Sequence, residues 1–117
     1  MFSFTHRILV PSLPPSNVHA TTLISASSIK LRWNQIQAQF IHGVFVGYTV
    51  EMQLVSDAGR DVRNNIQTLK IGPDDMSIVL EPLRSFSLFK FRVAARTRLG
   101  VGPFSKEIYA GSVLTLE

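Results

Sequence analysis

The side chains that could carry chemistry in this chain are few and lie far apart in the sequence. None of the three histidines, His6, His19 and His42, lies two or four residues from another histidine or a carboxylate, as a metal-ligating pair would. The chain has no cysteine, which excludes disulfides, a thiolate nucleophile and cysteine-ligated zinc. There is no Gly-x-Ser-x-Gly segment and no His-Asp pair placed to activate a serine. The sequence therefore predicts no catalytic residue, no metal site and no cofactor.

Two glycine-containing segments could be mistaken for ligand-binding loops. Asp74 and Asp75 follow Gly72-Pro73, but two carboxylates without further spaced oxygens indicate a solvated turn rather than a calcium site. The segment Gly100–Pro103 lacks the third glycine and the following helix of a phosphate-binding loop, and its proline removes an N–H donor. Both segments are interpreted as turns between strands.

The strongest positive feature is a set of cations with one parity, Lys90, Arg92, Arg96 and Arg98, which we call the basic row. Alternate residues of a strand lie about 6 to 7 Å apart, close to the spacing of anionic groups on a polyanion, so a sulfated glycan or an acidic protein face could bind there. The alternative is a solvated sheet face in which Glu51 pairs with Arg92 or Lys90. No aromatic residue is interleaved with these cations on their face, which argues against nucleic acid.

The segments that carry these cations and pack beside them are predicted to be strands. Residues 89–95 alternate large apolar residues with polar or small ones, which is the period of a strand with one buried face. Further strands are predicted in six segments, residues 16–22, 29–33, 46–54, 67–71, 77–83 and 106–116. No segment has a helical face over three turns. Seven short strands separated by turn residues predict an all-β, antiparallel sandwich.

Length and composition limit the organisation of the chain. A chain of 117 residues with 45% hydrophobic residues fits one domain with a single core, and its net charge of +4 favours acidic partners only weakly. No apolar run approaches the roughly 20 residues that span a bilayer, so no membrane insertion is expected. Residues 1–13 show no period and are predicted to be a linker or tail, and residues 14–117 the domain. Because Arg7 interrupts the apolar start, a secretory signal is expected to lie elsewhere.

The order of these segments resembles a fibronectin type III domain over about residues 14–112. The proline-rich start of that family is matched by residues 13–18, and its second strand, ending in tryptophan, by Ser28–Trp33. The third strand, with glycine before tyrosine, resembles Gly47–Met52, and the closing pattern resembles Leu83–Ser105. Each pattern is weak alone, but four in the right order over about a hundred residues are specific.

The resemblance implies a seven-stranded immunoglobulin-like sandwich, with sheets A-B-E and C′-C-F-G packed face to face. The residues expected to form its structural core are Trp33, Tyr48, Leu83, Phe89, Phe91 and Val93. Phe89 stands where the family usually has a tyrosine whose hydroxyl ties the E–F corner to the backbone, and Ser85 replaces the usual proline before it. Loss of that hydrogen bond is expected to cost the corner about 1 kcal/mol.

The resemblance also implies a functional class. We expect a non-catalytic interaction or spacer module of a larger protein, either a cell-surface adhesion molecule or a receptor ectodomain, and therefore an extracellular location. The alternative is a spacer in a tandem array of an intracellular, muscle-type protein. A protein partner is expected but not identified, and the isolated domain is expected to be monomeric. Residues 59–61 read Gly-Arg-Asp instead of Arg-Gly-Asp, so integrin binding is not supported.

Overall fold

A computed structural model of the chain describes residues 9–23, 28–57, 60–61, 66–80 and 87–112. These residues form nine antiparallel strands and one turn of 3-10 helix, Ala38–Phe40. The strands are β1 His19–Leu23, β2 Ser28–Arg32, β3 Phe45–Asp57, β4 Arg60–Asp61, β5 Ile66–Ile71, β6 Ser77–Leu80, β7 Ser87–Thr97, β8 Gly100–Val101 and β9 Ile108–Ser112. The small sheet has the order β1-β2-β6, and the large sheet has the order β4-β3-β7-β8, with β5 also paired to β3 and β9 to β7.

The predicted fold class is confirmed, with a different strand count. The sheets predicted as A-B-E and C′-C-F-G correspond to β1-β2-β6 and β5-β3-β7-β9. The two additional strands, β4 and β8, have two residues each, too few to show a period in the sequence. The first strand begins at His19 and not at Ser16, because Asn17 has a positive φ of 55° that is incompatible with a strand.

The core lies between the two sheets and contains five of the six residues expected there. Trp33, Tyr48, Phe89, Phe91 and Val93 are all buried, and the rings of Trp33 and Tyr48 meet edge to face with centroids 5.4 Å apart. The sixth, Leu83, lies outside the described residues, as does Ser85.

The hydroxyl of Tyr48 is tied into the core from two directions. It accepts a hydrogen bond from the Ile36 amide at 3.2 Å and lies 3.9 Å from the sulfur of Met76. Burial raises the pKa of this phenol above its ordinary value, against a smaller opposing effect of the hydrogen bond from Ile36. The tyrosine of the Gly-Tyr pattern therefore links the loop after β2 to the large sheet.

The glycine of the same pattern has a separate structural reason. Gly47 has a φ of +135° at an irregularity in the pairing of β3 with β7, a conformation that residues with a side chain rarely adopt. A Cβ atom at this position would also overlap the backbone carbonyl of Ile71 at the end of β5. Only glycine lets β5 and β3 approach each other this closely.

Residues 9–12, which the sequence assigns to a linker, lie against one end of the sandwich, and we call them the strap. The hydroxyl of Thr97 donates to the carbonyl of Leu9, and the amide of Ser12 donates to the carbonyl of Phe40 at 2.9 Å. Pro11 is fully buried beside Gly102, where a Cβ atom would lie only 2.6 Å from the Pro11 carbonyl oxygen. The strap is thus held by hydrogen bonds of its own backbone groups, and Pro11 can pack closely because Gly102 has no side chain.

The chain enters and leaves the described structure at opposite ends of the large sheet. The strap contacts Thr97, which pairs with Phe45 at one end of the β3–β7 ladder. Ser87 lies at the other end of that ladder and pairs with Ser112, the last described residue. Because β7 has 11 residues, the two ends are separated by about 33 Å along the strand.

Candidate functional site

Three cations of the basic row, Lys90, Arg92 and Arg96, lie on the face of β7 opposite the core, whereas Arg98 follows the end of β7 in the turn before β8. The row on the strand is not continuous. Ala94 shares the parity of the cations and is fully buried, so it separates Arg92 from Arg96. These two arginines are four residues apart, or about 13 Å along an ideal strand. The regular spacing of about 6 to 7 Å therefore holds only between Lys90 and Arg92, because Arg98 lies in the turn after β7.

The first two cations of the row are held in ion pairs. Lys90 Nζ lies 3.2 Å from a carboxylate oxygen of Glu107, in the segment before β9. Arg92 is paired in register with Glu51 on β3, and Arg92 Nε lies 2.6 Å from Glu51 Oε1. The Arg92 guanidinium also lies 4.1 Å above the ring of Phe104, a cation–π contact. Glu51 thus pairs with Arg92, one of the two pairings that the solvated-face alternative allowed.

The last two cations differ from each other. Arg96 donates from its guanidinium to the backbone carbonyl of Tyr48 at 2.6 Å, next to the irregularity at Gly47. Arg98 is exposed, and among the described residues its side chain has no ion pair or hydrogen bond. Three of the four cations of the basic row are thus engaged by other residues of the described structure.

The ion pairs border a shallow depression of about 200 Å³ on the outer face of the large sheet. Its lining includes both ion pairs together with the side chains of Gln53 and Ile66. An open depression lined by paired charges offers matched donors and acceptors to a protein surface, whereas it offers a polyanion little free positive charge. The contacts therefore favour the solvated-face interpretation of the row, and binding of a sulfated glycan stays a prediction.

Three partners of the row were not identified from the sequence. Glu107 and Phe104 lie beyond the turn that follows β7, and their approach depends on how residues 102–105 return alongside the strand. That return is fixed by the Gly102 amide donating to the Ala95 carbonyl at 2.9 Å and the Ser105 amide donating to the Val93 carbonyl at 2.8 Å. The third, the Tyr48 carbonyl, has no sequence signal because it is a backbone group.

The residues considered for metal or acid–base chemistry are used locally. His19 Nδ1 lies 3.0 Å from the Asn17 carbonyl oxygen, and His42 Nε2 lies 2.9 Å from the Ser12 hydroxyl of the strap. His6 lies outside the described residues. Asp74 and Asp75 are exposed in the turn after β5. Within the described ranges, no group of three or more histidine, aspartate or glutamate residues could hold a metal ion.

The comparison with known families matches residues 13–111 to the fibronectin type III domain. This chain belongs to the fibronectin type III family. Among solved structures, the third fibronectin III domain of human KIAA0343 protein superposes with a TM-score of 0.78 at 20% identity, covering 94% of this chain and 89% of that domain. The fibronectin type III domain is a non-catalytic module.

The curated relatives of this fibronectin type III domain are much longer proteins. Receptor-type tyrosine-protein phosphatase F of Danio rerio is 38% identical over 111 residues, covering 90% of this chain and 6% of the relative. Human cell adhesion molecule DSCAM is 31% identical over 98 residues, covering 84% of this chain and 5% of the relative. The chain thus spans about a twentieth of each relative. In the part of the chain that the structure describes, no helix is long and apolar enough to cross a bilayer.

Proposed function

We propose that this fibronectin type III domain is a protein-interaction and spacer module in the extracellular part of a cell-surface adhesion molecule or receptor. The observation that carries this proposal is the 38% identity to a receptor-type phosphatase over 90% of the chain. Similarity to a cell adhesion molecule supports it independently. The activity of the phosphatase is not carried over, because the match covers 6% of that protein and the family is non-catalytic.

The path of the chain supports the spacer part of the proposal. A module that sets distance in a longer chain must receive the polypeptide at one end and release it at the other. Here the strap contacts Thr97 at one end of the large sheet, and Ser112 pairs with Ser87 at the other end, about 33 Å away along β7. A domain that the chain enters at one end and leaves at the other increases the end-to-end length of the parent protein by the length of the domain.

The surface supports recognition of a protein over recognition of a polyanion. The outer face of the large sheet has paired charges, and its exposed apolar residues include Tyr109, an aromatic residue of the type enriched in protein interfaces. The partner is proposed to be a protein, and the isolated domain is proposed to be monomeric, which sedimentation velocity at several concentrations would check.

The experiment that separates this proposal from an intracellular array is immunolabelling. An antibody raised against the 117-residue chain is applied to cells that express the parent protein, before and after permeabilisation, with a tubulin antibody as control for membrane integrity. Labelling of intact cells is the expected result. Labelling that appears only together with tubulin would contradict the extracellular location and would favour the muscle-type array.

A further inference from the structure

The outer face of the small sheet carries two neighbouring cations. Lys30 and Arg32 lie on β2, the central strand of that sheet, and their side chains alternate with those of Ile29 and Leu31, which are fully buried in the core. Among the described residues, neither cation has an ion pair or a side-chain hydrogen bond. In the basic row of the large sheet, by contrast, other residues engage three of the four cations. The two faces of the sandwich therefore differ in the free positive charge that they offer.

The register of the small sheet fixes the residues that surround these cations. Each cation pairs with one residue of β1 and one residue of β6. Because paired residues of antiparallel strands lie on the same face, all of these side chains point away from the core. The members of this surface, which we call the β2 face, are His19, Thr21, Lys30, Arg32, Ser77 and Val79. Five of the six are exposed, and none of the six is acidic.

The backbone positions of the two cations are held at a fixed separation. Lys30 and Arg32 are two residues apart on a strand, which places their Cα atoms about 6.5 to 7 Å apart. The buried side chains of Ile29 and Leu31 anchor that strand, and β1 and β6 pair with it along both edges. A surface that is already ordered loses little conformational entropy when it binds. Two carboxylates on alternate residues of an extended chain have the same separation and can contact both cations at once.

The composition of the β2 face favours a protein as the source of these carboxylates. A polyanion gains affinity from the number of charges that are neutralised, and two cations give it little affinity at physiological salt. A protein can add contacts to the uncharged members of the face. Thr21 and Ser77 offer hydroxyl groups, and Val79, which is 44% exposed, offers apolar area.

We infer that the β2 face binds an acidic segment of a protein partner, in which two carboxylates on alternate residues of an extended chain contact Lys30 and Arg32. This inference rests on the proposed function, because it specifies the chemistry of the partner that a protein-interaction module binds. The two sheets then have different roles. The ion pairs on the large sheet stabilise the domain, whereas the cations of the β2 face recognise the partner.

The test measures binding of the 117-residue chain to a synthetic peptide by surface plasmon resonance. The immobilised peptide alternates glutamate with threonine, and a reference peptide has glutamine in place of each glutamate. The double variant Lys30→Gln, Arg32→Gln is compared with Lys70→Gln, Lys106→Gln, which removes the same charge from exposed positions outside the β2 face. We expect the first double variant to lose affinity for the glutamate peptide by about tenfold or more, and the second by less than about twofold.

Further measurements separate the carboxylate partner from other anions. Arg32→Lys keeps the charge and should bind the glutamate peptide within about threefold of wild type. Urea titration followed by the fluorescence of Trp33 checks that every variant is folded. On heparin and on vesicles that contain phosphatidylserine, the Lys30 and Arg32 double variant should lose no more binding than the Lys70 and Lys106 double variant.

Three results would overturn the inference. These are equal losses of peptide binding in the two double variants, equal binding of wild type to the glutamate and glutamine peptides, and a larger loss on heparin or vesicles than on the peptide. The outcome is independent of the cellular location. The expected peptide results for a parent that immunolabelling finds inside the cell would keep this inference and refute the extracellular location.

Discussion

Replacing Arg92 tests whether the basic row holds the domain together from within. Arg92→Met keeps an unbranched apolar stem like that of arginine but removes the guanidinium group, with its charge and its hydrogen-bond donors. It therefore removes the 2.6 Å ion pair with Glu51 and the cation–π contact with Phe104. The matched control is Arg98→Met, because Arg98 lies at the exposed end of the same row and, within the described residues, its side chain has no partner.

The expected magnitude follows from the exposure of the pair. The Arg92 and Glu51 side chains are 39% and 26% exposed, so solvent screens them and the ion pair contributes about 1 kcal/mol, at the upper end for surface pairs. The contact with Phe104 adds about 0.5 to 1 kcal/mol. Arg92→Met should therefore lower the free energy of unfolding by about 1.5 to 2 kcal/mol, or roughly 6 to 8 °C in Tm for a chain of this size. Arg98→Met should change it by less than about 0.5 kcal/mol.

Urea titration followed by tryptophan fluorescence is a suitable assay. The chain has one tryptophan, Trp33, and it is buried in the core, so its emission reports the loss of the sandwich. With a slope of about 1.5 kcal/mol per molar urea, the Arg92 variant should unfold about 1 M earlier than wild type. A double-mutant cycle with Glu51→Gln should give a coupling of about 1 kcal/mol, reduced in 1 M NaCl because salt screens the pair.

Two results would refute this reasoning. Equal unfolding midpoints for the Arg92 and Arg98 variants would mean that the observed contacts contribute nothing measurable. Strict additivity of the Glu51 and Arg92 substitutions would mean that the two side chains do not interact in solution. Either result would leave Arg92 free for an external anion and would revive the sulfated-glycan interpretation of the basic row.

Three further outcomes are expected. Gly47→Ala should destabilise the domain by about 3 kcal/mol or more, because the new Cβ meets backbone of β5 at a positive φ; a change below 1 kcal/mol in urea titration would contradict the assigned close approach. Phe89→Tyr should be neutral or stabilising by about 1 kcal/mol, and clear destabilisation would contradict the strand register. On heparin-agarose, alanine at the first three cations of the basic row should lower the elution salt no more than alanine at Lys30, Lys70 and Lys106, whereas a specific glycan face predicts clearly earlier elution.

The fold could be predicted from the sequence because its strongest signal is local. Phe89, Phe91 and Val93 alternate with other residues along one strand. Because successive side chains of a strand point to opposite faces, burial of these three residues fixes the face on which every other side chain of the strand lies. The same parity predicts that Lys90, Arg92 and Arg96 lie on the outer face, where the structure has them, whereas Arg98 follows the end of β7. It also allowed the pairing of Glu51 with Arg92, because alternation on two neighbouring strands limits which side chains lie on the same face.

The contacts that were missed do not depend on periodicity. Phe104 reaches Arg92 because the turn after β7 returns along the strand, and the course of a turn is set by a few backbone hydrogen bonds. The sequence predicts a linker over residues 1–13, which include the strap, because Pro11 and its neighbours show no alternation. The position of the strap depends instead on the small size of Gly102 and on a hydrogen bond to the Leu9 carbonyl. Neither feature produces an apolar pattern in the sequence.

The strap has a mechanical consequence for a module that works in a chain. If the parent is stretched, tension from upstream reaches the strap before it reaches β1. The Thr97 hydroxyl donates to the Leu9 carbonyl, the Ser12 amide donates to the Phe40 carbonyl, and the ring of His42 lies against Ser12. Strand β1 pairs only with β2 in the described sheet. Because the load reaches the strap first, the strap should detach from the sandwich before β1 separates from β2.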